Sequence, residues 1–150
     1  MNAESRKKLR DELIRDEGMR LDAYRDSVGL WTIGVGHLLG DSMRMEKITP
    51  NEMHALLNAD IAAAERVVEH MFPDWETHFD EVRQRALINM AFNLGNRLLQ
   101  FQKFRALLQI NNYTSASIEM LNSKWATQVG ARSKRLSEMI AKENEYDNRV

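Results

Sequence analysis

The longest regular pattern in the chain begins at Thr49-Pro50-Asn51-Glu52, where Thr49 stands as a helix N-cap, Pro50 at the first helical position and Glu52 at the capping-box position. Behind them Met53, Leu56, Leu57, Ile61, Ala64, Val67, Val68 and Met71 recur at the three- and four-residue spacing of one helix face. The spacing predicts a helix from Pro50 to about Met71, stopped before Pro73 and about 33 Å long at 1.5 Å per residue. A helix of that length suggests a connector between two lobes. Asp60 falls inside its apolar stripe, and a carboxylate there calls for a partner, most naturally a histidine or arginine from the segment before it.

Upstream, Ala3 to Ile14 reads as a helix of Lys, Arg, Glu and Leu, with Gly18 as its C-terminal stop. That places Asp16 and Glu17 in the last turn, against the negative end of the helix dipole, where a cation is favoured by roughly 0.3–1 kcal/mol. The pair is either a solvated, frayed end or a functional exception to the rule. After Gly18 the period shortens: Leu21 to Arg25, the turn Asp26-Ser27-Val28-Gly29, then Leu30 to Gly36 form a predicted hairpin. In its second strand Trp31, Ile33 and Val35 share one face, while Thr32, Gly34 and Gly36 share the other. That second face is nearly bare, which lets a ligand or another backbone approach closely.

Downstream the pattern is helical throughout. Asp80 caps a predicted helix from Glu81 to Leu94, ended by Gly95, whose ALINMAF run is apolar nearly all round and marks the buried centre of its lobe. Asn89 and Asn93 lie four residues apart on it, so they either bond neighbouring backbone or line a cleft that reads a polar ligand. Shorter helices are expected over Phe101 to Ile110, Ser115 to Thr127 and Ala131 to about Asn144. No repeat or Gly/Ser linker divides the chain.

Composition narrows the chemistry. At 150 residues the expectation is one domain with a sizeable core. Without cysteine there is no disulfide frame, thiolate metal site or thiol nucleophile. No segment approaches the ~20 apolar residues of a membrane span, and the basic N-terminus lacks the apolar core of a signal peptide, so the chain is expected to start in a cytoplasm. The net charge of −1 conceals a balance of −6 over residues 1 to 80 and +5 over residues 81 to 150. The basic part could face an anionic polymer, nucleic acid or cell wall, or its charges could be scattered over solvated helices.

Glu17, Asp26 and Thr32 form the candidate constellation: a carboxyl at a helix end, a second at a hairpin turn, and a hydroxyl on the opposing strand. Two carboxyls in different surroundings are the minimum equipment for cleaving a glycosidic bond, one giving a proton to the leaving oxygen and the other activating water or attacking the sugar. Glu17, against the helix end and a closing second lobe, suits the acid, and Asp26 in an open turn suits the ionised partner. Spacing alone is weak support, because a chain with 22 acids offers many such pairs. His37, His54, His70 and His78 lack paired metal-ligand spacing, and the chain has no phosphate loop or G-x-S-x-G elbow. A nucleic-acid module would rest on Arg132, Lys134 and Arg135, a short cluster without interleaved aromatics.

The run Asp16-Glu17-Gly18 followed by RLDAYRDSVGLWTIGVGHLL resembles the catalytic segment of the T-even phage lysozymes, the phage endolysins of glycoside hydrolase family 24. The resemblance continues through ITPNE, LLNADI, VRQRALINMAFNLG and SKWATQVGARSKR and covers most of the chain. It implies a lysozyme-like α+β fold: a small strand-containing lobe over about 18–48, a connecting helix over about 49–72, and a helical lobe of 1–17 plus about 73–150, in a single domain with the cleft between lobes. It implies a muramidase that cleaves the β-1,4 bond between N-acetylmuramic acid and N-acetylglucosamine with inversion. Glu17 would be the general acid, and Asp26 the base that, with Thr32, holds the attacking water. Arg132 matches an arginine that reaches Glu17, Tyr24 a tyrosine beside that pair, and His37 with Asp60 a buried ion pair. Leu38, Asn89 and Asn93 match substrate-facing or supporting positions.

The chain departs from its best-known relatives in about six extra residues at its start and roughly ten fewer between Leu39 and Ile48, and in Val28 and Asn93 where they carry glutamate and glutamine. The expected partner is bacterial peptidoglycan, met by a monomer without a cofactor, without nucleic acid and without stable membrane insertion. Acting from the host cytoplasm, such an enzyme is expected to depend on a separate membrane-permeabilising protein. The rival readings are a catalytically silent wall-binding relative and a membrane-active protein built on the basic C-terminal helices.

Overall fold

A computed structural model describes residues 1–142, and within them the elements follow the chain as α1 Ala3–Glu17, β1 Arg20–Arg25, β2 Trp31–Gly34, β3 His37–Gly40, α2 Pro50–Met71, α3 Trp75–His78, α4 Glu81–Leu94, a 3₁₀ turn Gly95–Gln100, α5 Gln102–Gln109, α6 Tyr113–Leu121, α7 Lys124–Val129 and α8 Ala131–Lys142. The architecture is α+β and lysozyme-like, mostly helical with one small antiparallel sheet.

Local chemistry sets these boundaries. Asn2 caps α1 through the amide of Ser5, and Gly18, at φ 76°, ends it by donating its amide to the Ile14 carbonyl. At Thr49 both halves of the capping box form, and α2 runs its full predicted length with Met53, Leu57, Ile61, Ala64, Val68 and Met71 buried along one stripe. The single helix expected over Ser115 to Thr127 is instead two. Ser123 accepts the amide of Ala126 and so opens α7 behind the end of α6. The expected end of the last helix near Asn144 lies outside the described residues.

The sheet has three strands rather than the expected two, in the order β1-β2-β3. Gly36, at φ 63°, turns the chain after Val35, and His37–Gly40 returns along β2 with Ile33 opposite His37 and Thr32 opposite Leu38. The short segment after Gly40 closes the other edge: Ala23 and Ile48 donate their amides to Glu46 and Leu21, around a bridge between Asp22 and Lys47. Open strand edges are templates for aggregation, and this segment covers one.

The core is continuous. Ile33 and Leu39 of the sheet and Val35 of the turn between β2 and β3 join Leu57 and Ile61 of α2, together with Leu87, Ile88 and Met90 of α4 and Leu136, Met139 and Ile140 of α8, in one cluster. The helix α4 is central, as its composition suggested, although its first half also buries Arg83, Gln84 and Arg85.

Candidate active site

Glu17 closes α1, and three elements meet around its carboxyl. From α8, Arg132 Nη1 donates to Oε1 at 2.7 Å. From the turn after β2, Gly36 comes so close that a Cβ built on it would lie 2.6 Å from Oε2. The bare strand face expected from Thr32, Gly34 and Gly36 therefore has two different uses. Beside Gly34 the space is filled by Ile48 and Met53 side chains at 3.4 and 3.5 Å, whereas beside Gly36 it is filled by the Glu17 carboxyl.

The third element is β1. Tyr24 pairs across the sheet with Thr32, and Thr32 with Leu38, so these three share one face. Burial pushes the Tyr24 phenol above its ordinary value, and the Glu17 carboxylate pushes it further. Arg20, stacked 4.6 Å over the ring, opposes this, and Asp26 adds a smaller upward push. The Tyr24 phenol thus stays protonated at neutral pH.

Asp26 builds its own turn. Its Oδ1 accepts the amides of Val28 and Leu30 at 3.0 and 2.9 Å, while its amide donates to the Leu30 carbonyl. The turn uses only one carboxyl oxygen, and it fixes where that carboxyl points. Thr32 is buried, with its hydroxyl donating to the Leu30 carbonyl at 3.2 Å, so it is held against the same turn.

Asp16, which sequence reasoning left as a solvated neighbour, has a fully buried side chain. Arg135 Nη2 reaches its Oδ1 at 2.6 Å, Asn89 Nδ2 donates to Oδ2 at 2.9 Å, and Arg132 Nε lies 3.5 Å from Oδ2. Asn89 also accepts from Arg132 Nε at 2.9 Å, so its amide joins an acceptor on one side to a donor on the other. Being wholly buried, Asn89 supports Arg132 and does not line a cleft. Asn93 is half-buried and accepts the indole N–H of Trp125 at 2.8 Å.

These contacts also revise the reading of charge. Arg132 and Arg135 are buried and turned inward, leaving Lys134 as the exposed member of the basic cluster. A third arginine, Arg85, is buried against Glu12 of α1. Three acids of the first half, Glu12, Asp16 and Glu17, thus meet three arginines of the second, Arg85, Arg132 and Arg135, inside the fold.

Next to Gly36 opens a groove of about 410 Å³, running from His37 and Leu38 over Asp60, Ala63 and Val67 of α2 to Phe92, Gly95 and Asn96. At its edge His37 Nδ1 lies 2.7 Å from Asp60 Oδ2, tying β3 to the middle of α2. Leu38, 53% exposed, presents an apolar surface to the groove.

Sequence reasoning missed Asp16, Arg135 and the contact between Gly36 and Glu17. The signal for the first two lay in α8, where Arg132 and Arg135 are three residues apart on the side that also buries Leu136 and Met139.

Comparison with known proteins places these residues in context. Residues 15–143 match the family model described as phage lysozyme. The chain is 32% identical to a probable T4-type lysozyme 1 of Dictyostelium discoideum over 88% of its own length and 92% of that protein. It is 30% identical to an endolysin of Acyrthosiphon pisum secondary endosymbiont phage 1, covering 75% of this chain and 73% of the relative. It also matches the pre-baseplate central spike protein Gp5 of Enterobacteria phage T4, at 28% identity over 88% of this chain but 27% of that longer protein.

Proposed function

The chain belongs to the phage lysozyme family and is a lysozyme, a muramidase-type endolysin acting on bacterial peptidoglycan, and from that premise we propose how its residues divide the work. Glu17 protonates the glycosidic oxygen between N-acetylmuramic acid and N-acetylglucosamine. Asp26, with Thr32, holds and activates water on the opposite face of the sugar, and the anomeric centre inverts. The observation that carries this reading is the Glu17 carboxyl, held at the end of α1 between Arg132 Nη1 and the backbone of Gly36, on the sheet whose hairpin turn Asp26 builds. Glu17 has a single arginine and a tight glycine contact, while Asp26 is fixed by two turn amides. Two such environments are what separate an acid from a base.

In this scheme the glycan lies in the groove beside Gly36, between a strand-containing lobe and a helical lobe connected through α2, with Leu38 against its apolar sugar faces. Hinge motion between the lobes would admit a polymer longer than the groove. Product analysis on purified peptidoglycan tests the reading. Proton NMR of the first product is expected to show the α-anomer at the new N-acetylmuramic acid end. A β-anomer would mean a retained configuration and assign Asp26 the part of nucleophile instead of base.

Among the described residues no helix is long and apolar enough to cross a membrane. We infer that the enzyme reaches the wall from the host cytoplasm only after a separate protein has permeabilised the membrane. Expressed alone in bacterial cytoplasm, it should leave culture turbidity unchanged until the membrane is opened with chloroform. Prompt lysis without that treatment would contradict the inference.

A further inference from the structure

The acid next to Glu17 is more deeply buried than Glu17 itself and holds two arginines, an arrangement a mere helix end has no need of. We propose that Asp16 is a positioning residue for the general acid: held against Arg132 and Arg135, it divides the arginine charge so that Glu17 can carry a proton while remaining bonded to Arg132. This rests on the role of Glu17 proposed above.

The problem it solves is electrostatic. A guanidinium against a lone carboxylate favours the ionised form, and an ionised Glu17 has no proton to give. Here Arg132 is shared. Its Nη1 meets Glu17 at 2.7 Å, its Nε faces Asn89 at 2.9 Å and Asp16 at 3.5 Å, and its Nη2 is buried without a partner. Asp16, at 0% side-chain exposure, receives Arg135 and the Asn89 amide as well, which fix its carboxyl beside Arg132. A fixed negative charge one residue from Glu17, shielded from water, therefore opposes ionisation of Glu17 and offsets the pull of Arg132. The idle Nη2 gives the arginine a donor to spare for the glutamate once its proton has gone to the leaving oxygen.

The other charged groups around Glu17 do not provide this balance. On β1, Arg20 and Tyr24 stack together, Asp26 is bound to its turn amides, and His37 beside Gly36 is engaged with Asp60.

The test is the pH dependence of kcat/KM on solubilised peptidoglycan for the wild type, Asp16→Asn and Arg135→Gln. Asparagine keeps an acceptor for Arg135 but removes the charge, leaving both arginines to act on Glu17. The alkaline limb, where the acid loses its proton, should then move about one unit to lower pH, with activity on the acid side reduced only a few-fold. Arg135→Gln removes positive charge and lets Arg132 lean toward Asp16, so its limb should move to higher pH. Opposite shifts from neighbouring positions are not produced by loosened packing, which lowers activity at every pH alike. Should Asp16→Asn fail to fold, the Arg135→Gln limb alone decides. Limbs that stay within about 0.3 unit of wild type, or that move the other way, overturn the proposal. Glu17→Gln, assayed in parallel, separates the two levels: turnover retained there defeats the role of Glu17 itself, whereas turnover lost there with unmoved limbs defeats only the role of Asp16.

Discussion

Glutamine in place of Glu17 is expected to lower kcat/KM on peptidoglycan by about 10²- to 10⁴-fold, the range that a positioned acid contributes. The substitution is nearly isosteric. Its amide oxygen can still accept from Arg132 Nη1, and Arg132 keeps Asn89 and Asp16 behind it, so the local geometry has reason to persist. What disappears is the proton. Melting temperature checks that the fold is retained, since a loss of 1 kcal/mol shifts it by only about 2–4 °C in a chain of this size. A companion variant separates chemistry from placement. In Gly36→Ala all three groups remain, but the new methyl would lie only 2.6 Å from Glu17 Oε2, on a backbone at φ 63° that L-residues rarely adopt. Displacing the carboxyl by about 1 Å should cost on the order of 10²-fold in kcat. If Glu17→Gln kept more than about a tenth of wild-type turnover, the proton would have to come from elsewhere.

The same contacts explain what the sequence could and could not convey. The helix α2 was readable from end to end because its signals are local: Thr49, Pro50 and Glu52 start it, one stripe runs along it, and Pro73 follows its end. Its neighbour β3 was not, because four residues after two glycines carry no period of their own, and Leu38 and Leu39 point to opposite sides, one exposed and one buried. The residues of the candidate site were named mainly through resemblance to a family, since spacing within Glu17, Asp26 and Thr32 is compatible with many chains. Asp16 shows the limit most clearly. By local rules an acid at a helix C-terminus belongs in water. The arginine that holds it lies 119 residues away, and no periodicity reports a contact of that range. Net charge has the same limit: an excess of acids in one half and of bases in the other left scattered solvated charges and an external binding surface both open, and it did not report that Glu12, Asp16 and Glu17 pair internally with Arg85, Arg132 and Arg135.

Breaking one of these internal pairs should be the costliest single change outside the site. Arg85 is 2% exposed in the middle of the core, with Nε 2.9 Å from Glu12 Oε1 and Nη1 2.8 Å from Ser5 Oγ, so it ties α4 to the helix that ends in Glu17. Arg85→Met leaves the Glu12 carboxylate buried at 6% side-chain exposure without its guanidinium, and Glu12→Leu leaves the guanidinium without its carboxylate. Each is expected to destabilise by up to about 3–5 kcal/mol, because a buried charge that loses its nearest counter-charge retains its desolvation penalty and loses that attraction. The double variant has neither charge. It should return to within about 1 kcal/mol of wild type or exceed it, since apolar side chains of similar volume often replace a buried ion pair without loss. Urea unfolding of the four proteins gives the coupling directly, with m-values checking that the unfolded states are comparable. Single variants each costing under about 1 kcal/mol would mean that water reaches the pair and that packing alone holds α1 to α4. Activity of the double variant adds the functional half of the argument. If the pair is cohesive only, the restored fold keeps wild-type kcat, because Glu17 takes its position from Arg132 and Gly36 and not from the charge of Glu12.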